Sequence, residues 1–119
     1  MAEYGFVYCL SNRFMPGLYK IGFTRGSPNF RAKQLSAPTG VPTQFEVEWY
    51  VESDEADNLE KELHAALGRS RVSPDREFFK VCPIHAHTLL DGDFYSCWMS
   101  PDHLLRIHNS KSSEMVRDC

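Results

Sequence analysis

The chain has no apolar run approaching the roughly 20 residues that a membrane-spanning helix needs, so such a helix is excluded and no membrane partner is expected. It also lacks a basic start followed by a long apolar stretch, the pattern of a secretory leader, and a cytoplasmic protein is expected. Cysteine is scarce. Cys9, Cys82, Cys97 and Cys119 are too few to staple a small secreted scaffold. Reduced thiols are expected, with Cys9 a small core residue and Cys119 exposed. No internal repeat and no low-complexity tract interrupts the chain.

Acidic residues are missing from one long stretch. Between Glu3 and Glu46 there is none, whereas Arg13, Lys20, Arg25, Arg31 and Lys33 all fall there. From Glu46 to Glu62 the sign reverses, and eight carboxylates face only Lys61. Arg69, Arg71, Arg76 and Lys80 then restore positive charge. A chain of net charge −3 can therefore still present a basic surface, and charge blocks of this kind speak about partners rather than fold.

What is present suffices for a core. The 119 residues are 42% hydrophobic and 24% charged, which fits one soluble globular domain. "YGFVYCL" (4–10) alternates Phe6, Tyr8 and Leu10 against Val7 and Cys9, as a strand does. Pro16-Gly17 suits a type II turn, and "LYKIGFT" (18–24) returns to complete a hairpin. Ser27 followed by Pro28 reads as the N-cap and first turn of a helix running to about Ser36. "APTGVPT" (37–43) reads as loop. "QFEVEWYVE" (44–52) places Phe45, Val47 and Trp49 on one face and Gln44, Glu46 and Glu48 on the other, the mark of a half-exposed strand.

A longer helix follows, capped at Ser53 or Asp54, with Ala56, Leu59, Leu63, Ala66 and Leu67 facing the core and Gly68 ending it. "SRVSPDR" reads as loop and "EFFKV" (77–81) as a short strand. Further helices are expected over Pro83–Leu90 and Pro101–His108, with 109–119 as a frayed tail. The order β-β-α-β-α with a C-terminal helical extension gives an α/β (α+β) fold, a small, mostly antiparallel central sheet flanked by helices. Residues 1–90 are expected to carry the main domain and 91–119 an extension packed on it or trailing from it.

Lys20 stands out within "GLYKIGFT". Side chains alternate along a strand, so Lys20 and Gly22 share the face opposite Tyr19 and Ile21. One reading is an edge lysine that deters strand-on-strand aggregation. The other is that Lys20 and Gly22 line a site for an anion, with Gly22 letting a nucleic-acid backbone come close. Tyr8 on the neighbouring strand, Arg31 one turn into the first helix and Glu60 on the long helix would join Lys20 there. A phenol, an ammonium, a guanidinium and a carboxylate suit phosphodiester chemistry: the carboxylate holds a hard cation and the guanidinium clamps phosphate.

The order and spacing of these residues resemble the GIY-YIG nuclease superfamily. "FVY" (6–8) is similar to its first motif and "KIG" (20–22) to its second. Arg31 in "RAKQLS" matches its helical arginine, and Glu60 in "LEKELHAAL" its metal-binding glutamate. More closely, "MPGLYKIG", "RAKQLSAPTGVP", "LEKELH" and "REFF" resemble a branch of the superfamily known from phages and bacteria as a DNA-binding domain, over about Gly5 to Val81. The resemblance implies a metal-dependent endonuclease acting on DNA, with RNA as the other possible substrate. It implies Glu60 as ligand to one Mg2+ or Mn2+ ion, Arg31 and Lys20 on the scissile phosphate, and Tyr8 orienting or deprotonating the attacking water. Arg25, Lys33, Arg71 and Arg76 would grip flanking phosphates.

Lys20 departs from the nuclease pattern, which has a second tyrosine there. Tyr19 cannot replace it, because a shift of one residue turns the side chain to the other face. No counterpart stands out for the asparagine that some members carry near the end of the domain; Glu77 lies in that region without an assigned role. His64, one turn after Glu60, is either a second ligand or a polar helix-edge residue. Two other functions stay open: a DNA-binding module that keeps the fold without the reaction, and a protein-interaction domain whose acidic 46–62 block meets a basic partner. Cys82, His85 and His87, with Cys97 and His103, offer zinc-type ligands, yet their spacing matches no standard finger.

Overall fold

A single tight turn sets the first strand pairing. In the computed structural model, which describes residues 2–36, 45–73 and 76–113, Gly17 takes a φ of 81° and the Leu18 N–H donates to the Met15 carbonyl at 3.2 Å. Proline second and a positive-φ glycine third make the expected type II turn. It folds β1 (Gly5–Ser11) back on β2 (Leu18–Thr24), with Tyr8 opposite Gly22 and Leu10 opposite Lys20. The Ser27 hydroxyl accepts the Phe30 N–H at 3.3 Å and caps α1 (Pro28–Ser36), as its sequence predicts. The expected 37–43 loop lies outside the described residues.

β3 (Glu46–Ser53) pairs antiparallel with the other edge of β1. α2 (Ala56–Ala66) follows, and neither Ser53 nor Asp54 caps it. Ser53 instead accepts the Glu55 N–H at 3.0 Å, while the first helical N–H, of Ala56, donates to the Glu3 carbonyl at 3.0 Å. The incoming chain thus satisfies the helix end that a side chain was expected to cap. β4 (Arg71–Ser73), β5 (Arg76–Lys80), α3 (Pro83–Thr88), β6 (Ser96–Met99) and α4 (Pro101–Ser113) complete the chain. All strand pairs are antiparallel, in the order β4-β5-β2-β1-β3-β6.

The result is an α+β fold, a six-stranded antiparallel sheet with helices on both faces. Residues 71–73, expected in a loop, are β4, and the unassigned Ser96–Met99 is β6; both are short strands defined by their partners rather than by an apolar alternation. α4 reaches Ser113, so the tail begins later than expected. Among the described residues no helix is long and apolar enough to cross a membrane.

Two clusters of buried side chains divide along the pleat of β1. Val7 and Cys9 join Ile21, Trp49, Val51 and Phe79 under α2 and α3, where Ala56, Leu59, Leu63, Leu67 and Ala86 close the core. Tyr8 and Leu10 join Ala32 of α1 and Val47 on the other face. Val47 and Trp49, expected to share a face, are therefore separated. A bulge between Cys9 and Leu10 causes this: Cys9 pairs with Trp49 but Leu10 with Val47, which leaves Glu48 as the extra residue.

Glu48 is consequently buried rather than half-exposed, and Arg106 of α4 and the Ser11 hydroxyl donate to it. A buried carboxylate needs such partners, which is what brings α4 onto the sheet. Of the thiols expected to be reduced, Cys9 and Cys97 are free and Cys82 is disulfide-bonded. Cys119 lies outside the described residues.

Candidate functional site

The site forms where a strand ladder stops. β2 pairs with β5 at Leu18–Lys80, Tyr19–Phe79 and Lys20–Phe78, and no further. Beyond Lys20 the outer backbone edge of β2 turns to α2 for its partners. His64 Nε2 lies 2.8 Å from the Ile21 carbonyl oxygen, so that nitrogen carries the proton and donates. One turn earlier, Glu60 faces the same stretch of β2, where the Phe23 N–H favours its charged form. The i, i+4 spacing puts both side chains on one flank of α2.

Lys20 is half-buried on an interior strand between β5 and β1, which removes the edge-lysine reading. Its Nζ lies 3.6 Å from Glu77 Oε2 and 5.4 Å from the centre of the Phe78 ring. Tyr8 is fully buried, and the positive charge of Arg31 acts on its phenol. Burial pushes the Tyr8 phenol above its ordinary pKa, and Arg31 only partly offsets this. The phenol therefore keeps its proton at neutral pH.

The sequence suggests that Gly22 lets a nucleic-acid backbone come close, but the space beside it is taken by Tyr8. A Cβ there would sit 2.4 Å from Tyr8 Oη and 2.6 Å from Cζ, so Tyr8 itself fills the space. Gly22→Ala is predicted to push an enclosed ring off its rotamer, costing about 1–3 kcal/mol and moving the phenol relative to Arg31. A thermal melt checks this; an unchanged Tm would mean that Tyr8 yields freely.

Glu60, His64 and Glu77 each present a donor atom, all within 4.8 Å of one another. Burial first, and then the charge of Glu77, pushes the Glu60 carboxyl up to about 7. The folded chain thus holds a proton there that the unfolded chain releases near pH 4.5. Without a cation this contribution favours folding at low pH and is lost as pH rises towards 7. Glu60→Gln, which cannot ionise, is predicted to gain Tm relative to wild type between pH 5 and pH 8 in EDTA. A constant difference across that range would show that the carboxyl titrates normally.

Tyr8, Lys20, Arg31 and Glu60 are thus drawn into one region, with the charges of Glu60 and Glu77 both reaching Tyr8. Sequence reasoning left His64 open and gave Glu77 no role; the i, i+4 spacing from Glu60 was the available signal for His64. The flanking cations scatter more widely. Arg71 lies over Phe79 at 5.6 Å, the ring that His64 also packs against at 5.0 Å, so it borders the site. Arg25 pairs in solvent with Glu3 at 2.6 Å, and Lys33 is exposed on α1. Arg76 opens β5 opposite Ser73, and its side chain lies outside the described residues.

The zinc-type residues do not assemble. Among the described residues Glu60, His64 and Glu77 are the one group of three such donors close enough for a metal. His87 Nε2 lies 3.2 Å from Cys97 Sγ, but His85 is exposed and Cys82 is in a disulfide. His103 is fully buried, and its pKa is pushed down to about 4, chiefly by burial.

The site is thus a carboxylate–imidazole trio of Glu60, His64 and Glu77 in a small antiparallel α+β domain, with Tyr8, Arg31 and Lys20 in the same region. The T5orf172 domain matches residues 5–92, and the chain belongs to the T5orf172 domain family. That domain is found in phage and bacterial nuclease-like proteins, which ties the chain to nucleic-acid-related function. No curated protein and no solved structure matches the chain.

Proposed function

We propose that the chain is a GIY-YIG-type endonuclease that hydrolyses phosphodiester bonds in DNA with a divalent cation, Mg2+ or Mn2+, anchored at Glu60. The observation that carries this reading is the convergence of Glu60 with Tyr8, Arg31 and Lys20 at the open end of the β2–β5 ladder. In the reaction a water oxygen bonds to phosphorus, the bond to one sugar oxygen breaks, and that oxygen leaves with a proton. Arg31, whose charge acts on Tyr8, holds the phosphate and offsets charge that builds on it. Lys20 adds a second positive charge beside it. Tyr8, which keeps its proton, orients the water rather than deprotonating it. A cation at Glu60 would supply Lewis-acid stabilisation of the phosphoryl oxygens.

One observation favours a second reading, a DNA-binding module without catalysis: Lys20 replaces the nuclease tyrosine and is paired with Glu77. Nicking of supercoiled plasmid with Mg2+ or Mn2+ decides between them, with binding to DNA and RNA measured in parallel. Nicking abolished by EDTA, and reduced about 10²–10³-fold by Arg31→Ala, is the expected result. Binding without nicking under either cation leaves the module. Binding no stronger than that of any protein of this charge, and indifferent to Arg31, leaves an interaction domain.

A further inference from the structure

We infer that His64 and Glu77 complete, with Glu60, a three-donor centre that prefers a divalent transition ion to magnesium, and that the ion competes with Lys20 for Glu77. This deepens the cleavage reading and rests on it for its consequence at the phosphate. The binding claim itself stands on the three side chains.

The donors sit on a firm frame. Around an ion bonded at about 2.1 Å, neighbouring donors lie about 3 Å apart and opposite ones about 4.2 Å. Three atoms within 4.8 Å of one another reach that arrangement with side-chain shifts on the order of an ångström. Glu60 and His64 are one turn apart on α2, and Glu77 is next in β5 to Phe78, the last residue of the ladder with β2.

His64 is prepared for the task. Because Nε2–H is spent on the Ile21 carbonyl, the lone pair of the neutral ring stays on Nδ1. Metal-bound histidines are commonly held in this manner, the second nitrogen donating to a carbonyl or carboxylate. Packing against Phe79 at 5.0 Å fixes the ring further.

Charge points the same way. Glu60 and Glu77 repel one another in a half-buried setting, and among the described residues the one ion pair on the trio is Lys20 with Glu77, at a loose 3.6 Å. A dication meets both carboxylates at once. The donor types then choose the ion: magnesium keeps to oxygen ligands and water, whereas an imidazole nitrogen suits the transition series. When Glu77 turns to the ion, Lys20 loses its partner and is freed for a phosphate. The lysine is thus coupled to cation occupancy.

The test uses the metal-free 119-residue chain and Mn2+ alone, without nucleic acid. Free Mn2+ is followed by electron paramagnetic resonance, and the bound ion by a pulsed experiment sensitive to nitrogen coupling. One bound Mn2+ with histidine nitrogen coupling is expected, and the coupling should vanish in His64→Gln. That variant should weaken Mn2+ by about tenfold or more and Mg2+ by much less, while Glu77→Gln weakens both. Lys20→Met should tighten Mn2+ binding, since it removes the competitor.

No Mn2+ binding, or binding without nitrogen coupling in the wild type, overturns the centre, and neither result depends on how a variant folds. Weaker Mn2+ binding in Lys20→Met overturns the competition. The cleavage reading fails separately. Nitrogen-coupled Mn2+ with no nicking keeps the centre and removes the enzyme, and nicking without nitrogen coupling does the reverse.

Discussion

Alanine at Glu60 is expected to lower cation-dependent nicking by at least about 10³-fold, equivalent to about 4 kcal/mol of transition-state stabilisation, while duplex binding stays within about twofold. The two effects separate because Glu60 offers the nucleic acid no positive charge; the candidate phosphate contacts are Arg31 and Lys20, with Arg71 bordering the site. The fold should survive. Glu60 is half-buried, its largest local effects are burial and repulsion from Glu77, and alanine relieves both. The measurement is plasmid nicking against enzyme concentration, with a melt and a binding isotherm on the same preparation. Nicking that persists in the variant would place the cation elsewhere. Binding lost along with nicking would mean that Glu60 shapes the nucleic-acid surface instead.

Trp49→Ala is expected to cost about 3–5 kcal/mol, and so to lower Tm by about 12–20 °C in a domain of this size. Trp49 is completely buried at the centre of the larger cluster. Its indole N–H donates to the Pro83 carbonyl at 3.0 Å, and the ring meets His87 edge to face at 5.1 Å. Alanine therefore leaves a cavity, an unpaired carbonyl and a loosened join between β3 and α3. Trp49→Phe should cost much less, because most of the volume is retained. A loss below about 2 kcal/mol for alanine would mean that the site collapses around the smaller side chain.

Much of the local structure was legible because it depends on neighbours in sequence. The alternation in β1 and β2, the Pro16-Gly17 turn, the Ser27-Pro28 start of α1 and the apolar stripe of α2 follow from short-range sterics and periodicity. The shift of Glu48 into the core was not legible. A bulge is a mismatch between two strands, and the alternation of Phe45, Val47 and Trp49 gives no sign of it. Nor were β4 and β6, which are strands because β5 and β3 offer them partners.

The same division runs through the site. The sequence by itself determined which chemistry is on hand: Tyr8, Lys20, Arg31 and Glu60 were singled out by their order, spacing and residue types, while His64, one turn after Glu60, was left open between a ligand and a helix-edge residue. Only the tertiary structure decided that Glu77 stands with them, that Tyr8 rather than a ligand occupies the space above Gly22, and that Lys20 lies inside the sheet. Those outcomes depend on where the β2–β5 ladder ends and on how α2 crosses its open edge. Strand register and helix docking are set by burial summed over the whole core, which no local stretch of residues encodes.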